Sequence, residues 1–144
     1  MGAETPGTKA GAETPARRVA RLVLAILYFA VGIVHLKSPE GFLPIMPDWV
    51  PAPRAVVIGT GLAEIAGAIG LLIAPLRRAA AWGLAAYAVC VYPANIKHAM
   101  EGIEVSGVVL GWGYHLPRLA AQPFIIWWAL WAGGIINWPW RGGR

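Results

Sequence analysis

The residue best able to do acid–base chemistry in this chain is Glu64, the only charged residue in the apolar run 55–76. It follows Arg54 by ten residues. At about 1.5 Å per helical residue, that places its carboxyl group roughly 15 Å into a spanning helix, near the bilayer midplane. A carboxylate at such depth is costly unless it is paired, so it indicates a functional site, with a structural hydrogen bond as the alternative. Glu64 is therefore the best candidate for a catalytic residue.

The remaining polar candidates lie at the ends of the other apolar runs. If these runs form antiparallel helices, all of these side chains meet at one end of the molecule, around and above Glu64. Arg118 has a long stem and a fork of donors, so we expect it to join Glu64 in one hydrogen-bonded cluster with Asn95 or His35. Each histidine taken alone has a simpler interpretation, as a solvated residue near the membrane interface. The predicted ligand-binding residues are His35, Glu64, Asn95, His98, Arg118 and Gln122.

No established catalytic or cofactor motif accompanies these residues. Cys90 is the only cysteine, so the chain lacks the CxxC pair that thiol–disulfide exchange requires. Because it lies inside an apolar run, Cys90 is expected to be buried and to pack as a small apolar residue. The spacing of His35, Glu64 and His98 matches no metal-binding motif, and no metal site is predicted.

Four apolar runs supply the elements that must position these residues. The chain of 144 residues is 58% hydrophobic and 13% charged, against about 25% charged in a typical soluble domain. A bilayer core needs about 20 apolar residues of helix, and the runs 55–76, 79–96 and 119–140 reach or approach that length. The shorter run 22–36 is extended by Arg21, whose side chain can reach the headgroups. The sequence predicts an all-α membrane protein, a four-helix bundle with helices at about 18–37, 54–76, 78–99 and 117–138.

The distribution of positive charge predicts the orientation of these helices. Of the 12 Lys and Arg residues, eight lie before or at the start of the first helix, where the second helix meets the third, or after the fourth, and four lie at the helix ends that flank the other two loops. By the positive-inside rule, both termini are cytoplasmic and the loops 38–53 and 99–116 lie outside. The net charge of +5 thus reflects membrane topology, and no nucleic-acid partner is expected. The expected location is the cell membrane, crossed several times, with the lipid bilayer as the first partner.

The segments outside the predicted helices have distinct compositions. Residues 1–16 contain Gly-Ala-Glu-Thr-Pro twice and are predicted to be a disordered polar tail. Residues 141–144 form a basic C-terminal tail, which leaves 17–140 as the membrane domain. The 38–53 connection has five prolines, which exclude a regular helix, yet it is rich in apolar residues. We expect this proline-rich segment to fold over the mouth of the bundle at the membrane interface, with an ordinary loop as the alternative.

A series of short motifs in a fixed order covers the chain from about residue 20 to residue 137. The series is Gly32-Ile33-Val34-His35, Phe42-Leu43-Pro44-Ile45-Met46-Pro47, Trp49-Val50-Pro51, Gly61-Leu62-Ala63-Glu64-Ile65-Ala66-Gly67, Gly70-Leu71-Leu72, Arg78-Ala79-Ala80-Ala81-Trp82-Gly83-Leu84, Tyr92-Pro93-Ala94-Asn95-Ile96 and Leu116-Pro117-Arg118-Leu119. In order and spacing it resembles the DoxX-like family of small bacterial membrane proteins.

The resemblance implies a compact four-helix bundle with a redox-associated role, since the family takes its name from a small subunit of a terminal quinol oxidase. The recurrent polar positions of that family match His35, Glu64, Asn95, Arg118 and Gln122. The expected function is the binding of a small amphipathic molecule such as a quinone in an outward-opening polar pocket, with a membrane redox complex as a further expected partner. The absent CxxC pair departs from the redox relatives that carry one and argues against a dithiol role.

Two other classes of function stay open. One is a membrane enzyme that does acid–base chemistry on a lipid-soluble substrate through Glu64, similar to four-helix sterol isomerases. The other is a non-catalytic assembly subunit that packs against a partner or a second copy. Gly59, Ala63 and Gly67 would form its contact face, because small residues at four-residue spacing let helices approach closely.

Overall fold

Helices form all of the long elements in the computed structural model, which describes residues 13–138 except Ser106. Two short 3-10 turns follow the first helix, and a two-stranded antiparallel hairpin joins the last two helices. The prediction of an all-α protein is confirmed. The elements are α1 (Pro15–Lys37), the turns Pro39–Gly41 and Leu43–Ile45, α2 (Pro53–Leu72), α3 (Arg77–Glu101), β1 (Glu104–Val105), β2 (Val108–Val109) and α4 (Trp112–Ala132).

The first helix begins earlier than the sequence predicted. Thr14 caps it, because the Thr14 Oγ1 accepts a hydrogen bond from the backbone N–H of Arg17 at 3.4 Å, and Pro15 fits the first turn. Residues 15 and 16 are therefore helical, which corrects the prediction of a disordered tail through residue 16. Residues 1–12 of that predicted tail, and the basic tail at 141–144, lie outside the described residues.

The fourth helix is shifted toward the N-terminus relative to the predicted 117–138, since it runs from Trp112 to Ala132. Its end is determined by Gly134, whose φ of +72° is a left-handed conformation that favours glycine. The backbone N–H of Ile135 donates to the Leu130 carbonyl at 2.9 Å, and that of Gly134 donates to the Trp131 carbonyl at 3.0 Å, which is the Schellman pattern. Hydropathy does not reveal this stop, because the apolar run continues past it.

Three of the helices, α1, α2 and α3, are long and apolar enough to cross a membrane, judged by length and composition alone. Within the described part of the chain α4 is not among them, since its first turns contain His115, Arg118 and Gln122. Large apolar side chains are exposed on the outer faces of the helices, among them Leu22, Ile26, Leu62, Trp82 and Phe124. Such a surface is costly in water and suits contact with lipid, as expected of a multi-pass membrane protein.

Each α-helix packs against two neighbours, in the order α1–α2–α3–α4 and back to α1. Helices α1 and α2 approach each other closely where Gly32 and Gly61 face each other. A Cβ atom built on Gly32 would lie 2.7 Å from the Gly61 carbonyl oxygen, and one on Gly61 would lie 2.9 Å from the Gly32 carbonyl oxygen. The predicted contact face is only partly used: Gly67 packs against Leu84 of α3, whereas Gly59 faces open space.

The segment between α1 and α2 is tied to the helices by polar contacts. The ammonium group of Lys97 on α3 donates to the Met46 carbonyl at 2.8 Å and to Asp48 Oδ1 at 2.6 Å. The Ile45 side chain of this segment is buried. The segment therefore covers the end of the molecule at which α1 and α3 finish, which is where the predicted site residues lie.

Candidate functional site

A cavity of about 570 Å³ lies among the four α-helices, and the 38–52 segment covers one end of it. Most of its wall is apolar or aromatic, including Leu24, Val57, Ile125, Phe42 and Trp128. The predicted ligand-binding residues lie in this cavity or next to it. Those that line the cavity are His35, Glu64, Asn95, Arg118 and Gln122, and His98 lies next to it in contact with Arg118.

Glu64 and His35 meet deep in this cavity, beside the Gly32–Gly61 crossing. Glu64 is only 3% exposed, and its Oε2 lies 3.0 Å from His35 Nδ1. The same Nδ1 lies 3.0 Å from the Val31 carbonyl oxygen, which can only accept, so Nδ1 carries a hydrogen that it donates there. One hydrogen cannot fully satisfy both oxygens, and Glu64 Oε2 is buried without a well-formed hydrogen bond among the described residues. The pair is thus close but incompletely satisfied, which is costly in a structural ion pair.

The His35 ring is held in place by Phe42 of the covering segment, which is residues 38–52. The two rings stack with their centroids 4.0 Å apart and their planes 18° apart. Phe42 therefore couples the position of the covering segment to the orientation of the imidazole that faces Glu64.

Two further polar groups near Glu64 were missed by the sequence analysis. The Thr60 and Tyr87 side chains line the same cavity as Glu64, and the Tyr28 ring packs edge-on against the Tyr87 ring with the centroids 6.1 Å apart. Thr60 was within reach of sequence reasoning, because it lies one helical turn before Glu64 on the same face. Tyr87 gave no such signal, since it is one of several aromatic residues in an uncharged run and only helix packing brings it to Glu64.

Arg118 contacts His98 rather than Glu64. Its guanidinium nitrogen Nη1 lies 2.8 Å from His98 Nδ1, and its Cζ lies 5.7 Å from the centroid of the Tyr114 ring. The predicted cluster of Glu64 and Arg118 with Asn95 or His35 is split among the described residues, since His35 contacts Glu64 and Arg118 contacts His98. The reason is geometric, because α2 packs against α1 and α3, whereas Arg118 on α4 faces the end of α3.

The amide residues lie between these two clusters. Gln122 donates from Nε2 to the Ala88 carbonyl at 2.9 Å, and Asn95 is buried where it lines the cavity. The cavity thus has a carboxylate and hydroxyl groups at its deep end and hydrogen-bond donors from Arg118 and the amides toward the other. A molecule with an apolar body and polar oxygen atoms matches both the apolar wall and the polar groups of this cavity.

Cys90 corrects one expectation from the sequence. Its side chain is exposed and contributes to the cavity wall, whereas the sequence predicted a buried packing residue. No group of three or more His, Cys, Asp or Glu side chains able to hold a metal occurs in the described part of the chain.

The family described as "Domain of unknown function (DUF8561)" matches residues 24–133 of the chain. The matched range holds every residue of the cavity described above, from Leu24 to Trp128. No curated protein and no solved structure has a significant match to the chain.

Proposed function

The chain belongs to the DUF8561 family, and from that starting point we propose that it is a DoxX-like membrane protein that binds a lipid-soluble molecule of the quinone class in the cavity among its helices. The observation that carries this proposal is the combination of an apolar, aromatic wall with a few converging polar groups in one cavity of about 570 Å³. Small-molecule sites have this composition and volumes of roughly 300–1,000 Å³.

The chemistry of the wall supports a flat head group with oxygen atoms. Phe42 and Trp128 offer aromatic faces for a ring, and Arg118 and Asn95 offer donors for carbonyl oxygens. The long apolar wall formed by residues such as Leu27 and Val31 suits an isoprenoid or alkyl tail. A redox-associated role follows from the DoxX-like motifs together with this ligand class.

Filling the cavity is expected to weaken quinone binding. Ala94 is half-buried and lines the cavity, so Ala94→Phe places a ring inside it, whereas Ala86 on the same helix is exposed and lies outside the cavity. In detergent, titration with decylubiquinone is expected to quench tryptophan fluorescence, because Trp49 and Trp128 line the cavity. Ala94→Phe is expected to raise the Kd at least about tenfold, equivalent to about 1.4 kcal/mol, and Ala86→Phe to leave it unchanged. Equal affinity in the two variants would place the quinone elsewhere.

An acid–base enzyme is the second candidate, and the incompletely satisfied contact between Glu64 and His35 favours it. A general acid–base group needs a carboxyl close to the substrate, and Glu64 lines the same cavity. The Glu64→Gln variant separates the two functions when turnover is measured beside the binding titration. Under the binding proposal, Glu64→Gln keeps quinone affinity within about tenfold, because the contacts to the carbonyl oxygens come from other residues. A membrane enzyme would instead retain binding of its substrate and lose turnover.

We propose that all four α-helices span the cell membrane, with both termini in the cytoplasm. The positive charges at the ends of the helices support this orientation, and the length of α4, from Trp112 to Ala132, permits a fourth span. Reporter fusions after Ser38, Arg78 and Val108 are expected to report outside, inside and outside. An outside signal at Arg78 would reverse the orientation.

A further inference from the structure

Five arginines gather at the end of the molecule opposite the covering segment, where α1 and α3 begin and α2 and α4 end. They are Arg17, Arg18, Arg21, Arg77 and Arg78. The described residues of this end contribute a single carboxylate, Glu13, to balance them. The local excess of positive charge is large, and it lies immediately beside helices that are apolar enough to enter a bilayer.

The Glu13 carboxylate is held by three of these guanidinium groups at once. Arg21 makes a bidentate contact, with Nη1 on Oε1 and Nη2 on Oε2 at 2.9 Å. Arg18 Nε lies 3.5 Å from Oε2, and Arg77 Nη1 lies 4.0 Å from the same oxygen. The hydrogen bond from Arg21 is the main reason why the pKa of Glu13 is lowered, which burial opposes in part. Three guanidinium groups from two helices thus form a binding site for an oxyanion.

The site is rigid on one side and accessible on the other. The Arg21 side chain is only 8% exposed and also donates to the Ala132 carbonyl at 3.3 Å, so it is fixed against the end of α4. Arg77 is fixed in a similar way, because its Nε donates to the Leu71 carbonyl at 3.2 Å. Arg18, in contrast, is 68% exposed. An anion can therefore approach from the surface and meet guanidinium groups that are already oriented.

We propose that Arg18, Arg21 and Arg77 form a binding site for the phosphate of an anionic phospholipid headgroup, and that Glu13 is the competing anion supplied by the chain itself. The proposal rests on the membrane location and not on the ligand of the cavity. Guanidinium groups match phosphate oxygens in a bidentate manner, and basic clusters at the ends of membrane helices lie at headgroup depth. One carboxylate leaves most of the arginine charge unbalanced, so a phosphate that enters gains more than Glu13 alone provides.

Thermal unfolding in mixed micelles tests the site. Wild-type protein is purified in dodecyl maltoside, and dioleoylphosphatidylglycerol or dioleoylphosphatidylcholine is added in equal amounts. Phosphatidylglycerol is expected to raise Tm by roughly 5 °C over phosphatidylcholine. Inorganic phosphate at the same concentration is expected to have little effect, because it lacks the acyl chains that hold a headgroup at the site. An equal rise with inorganic phosphate would show a general anion site and overturn the lipid assignment.

Glu13→Gln identifies the competitor, and Glu40→Gln is its matched control. Glu40 also pairs with an arginine, with Oε1 2.9 Å from Arg54 Nε, but at the opposite end of the molecule. Glu13→Gln is expected to have a lower Tm than the wild type in phosphatidylcholine and a Tm close to the wild type in phosphatidylglycerol. The difference in Tm between the two lipids is therefore expected to be larger in Glu13→Gln than in the wild type. Glu40→Gln is expected to keep the wild-type difference. An unchanged difference in Glu13→Gln would show that the lipid does not compete with Glu13 and would overturn the proposal.

A direct measurement covers the case in which Glu13→Gln does not fold. Native mass spectrometry of the wild-type protein from micelles that contain both lipids is expected to retain phosphatidylglycerol in preference to phosphatidylcholine. Arg77→Gln is expected to reduce that preference several-fold. Equal retention of the two lipids by the wild-type protein would overturn the site.

Discussion

Replacing His35 with leucine is expected to destabilise the protein by about 3–5 kcal/mol, the range observed when one partner of a buried charged pair is removed. The reason is that Glu64, at 3% exposure, would lose the imidazole that lies 3.0 Å from its Oε2. The measurement is the free energy of unfolding in detergent. Arg54→Leu is the control, since its exposed pair with Glu40 is expected to contribute at most about 1 kcal/mol.

A double-mutant cycle separates this pairing from general damage to the site. His35→Leu combined with Glu64→Leu is expected to cost less than the sum of the two single changes, with a coupling of about 1–3 kcal/mol. The same cycle between Glu64 and Arg118 is expected to be additive within about 0.5 kcal/mol, because Arg118 contacts His98 instead. Strong coupling of Glu64 to Arg118 and none to His35 would contradict the arrangement described here.

Placing a methyl group at the α1–α2 crossing is expected to cause the second large loss of stability. Gly61→Ala is expected to destabilise by about 1–3 kcal/mol, because the new Cβ would lie 2.8 Å from the His35 Cβ and 2.9 Å from the Gly32 carbonyl oxygen. Backbone atoms cannot move aside as a flexible side chain can, so the helices must separate. That separation would also move His35 away from Glu64, and quinone affinity is expected to fall with stability.

Gly59→Ala is the matched control, on the same helix and with the same change. No atom lies within 4 Å of a Cβ built on Gly59, so the methyl group meets no obstacle. Alanine is a better helix former than glycine by about 1 kcal/mol, and the variant is expected to be neutral or slightly stabilised. Comparing the stabilities of Gly61→Ala and Gly59→Ala shows which glycine lies at the contact between α1 and α2. If Gly59→Ala were the more damaging change, the small-residue face that begins at Gly59 would be an interface with a partner or a second copy.

The two expected results bear on function as well as on stability. The contact between His35 and Glu64 forms the deep end of the cavity, and the Gly32–Gly61 crossing determines how closely α1 and α2 approach beside it. The anion site around Glu13 lies at the other end of the molecule and shares no residue with the cavity. Changes at one site are therefore expected to leave ligand binding at the other intact.

The sequence by itself determined the helical elements and the positions of the polar groups along them. Long apolar runs predicted helices, because a backbone in lipid must satisfy its own hydrogen bonds, and all described long elements are helical. Residue spacing along a helix placed Glu64 deep and His35, Asn95 and Arg118 toward one end, and these four residues do line one cavity. These features follow from local rules, since rise per residue and hydropathy do not depend on which helix lies beside which.

Only the tertiary structure decided which polar group meets which. Glu64 faces His35 and Tyr87 rather than Arg118, because the rotation of each helix about its axis is set by packing at points such as Gly32 and Gly61. The motif with four-residue spacing suggested Gly59 as a contact, yet the neighbouring helix passes one half-turn away, at Gly61. Apolar helices have weak rotational preferences in their sequence, since almost every face is apolar. The choice of partner is therefore made by the fit of small and large side chains between helices, and that fit exists only once the helices are assembled.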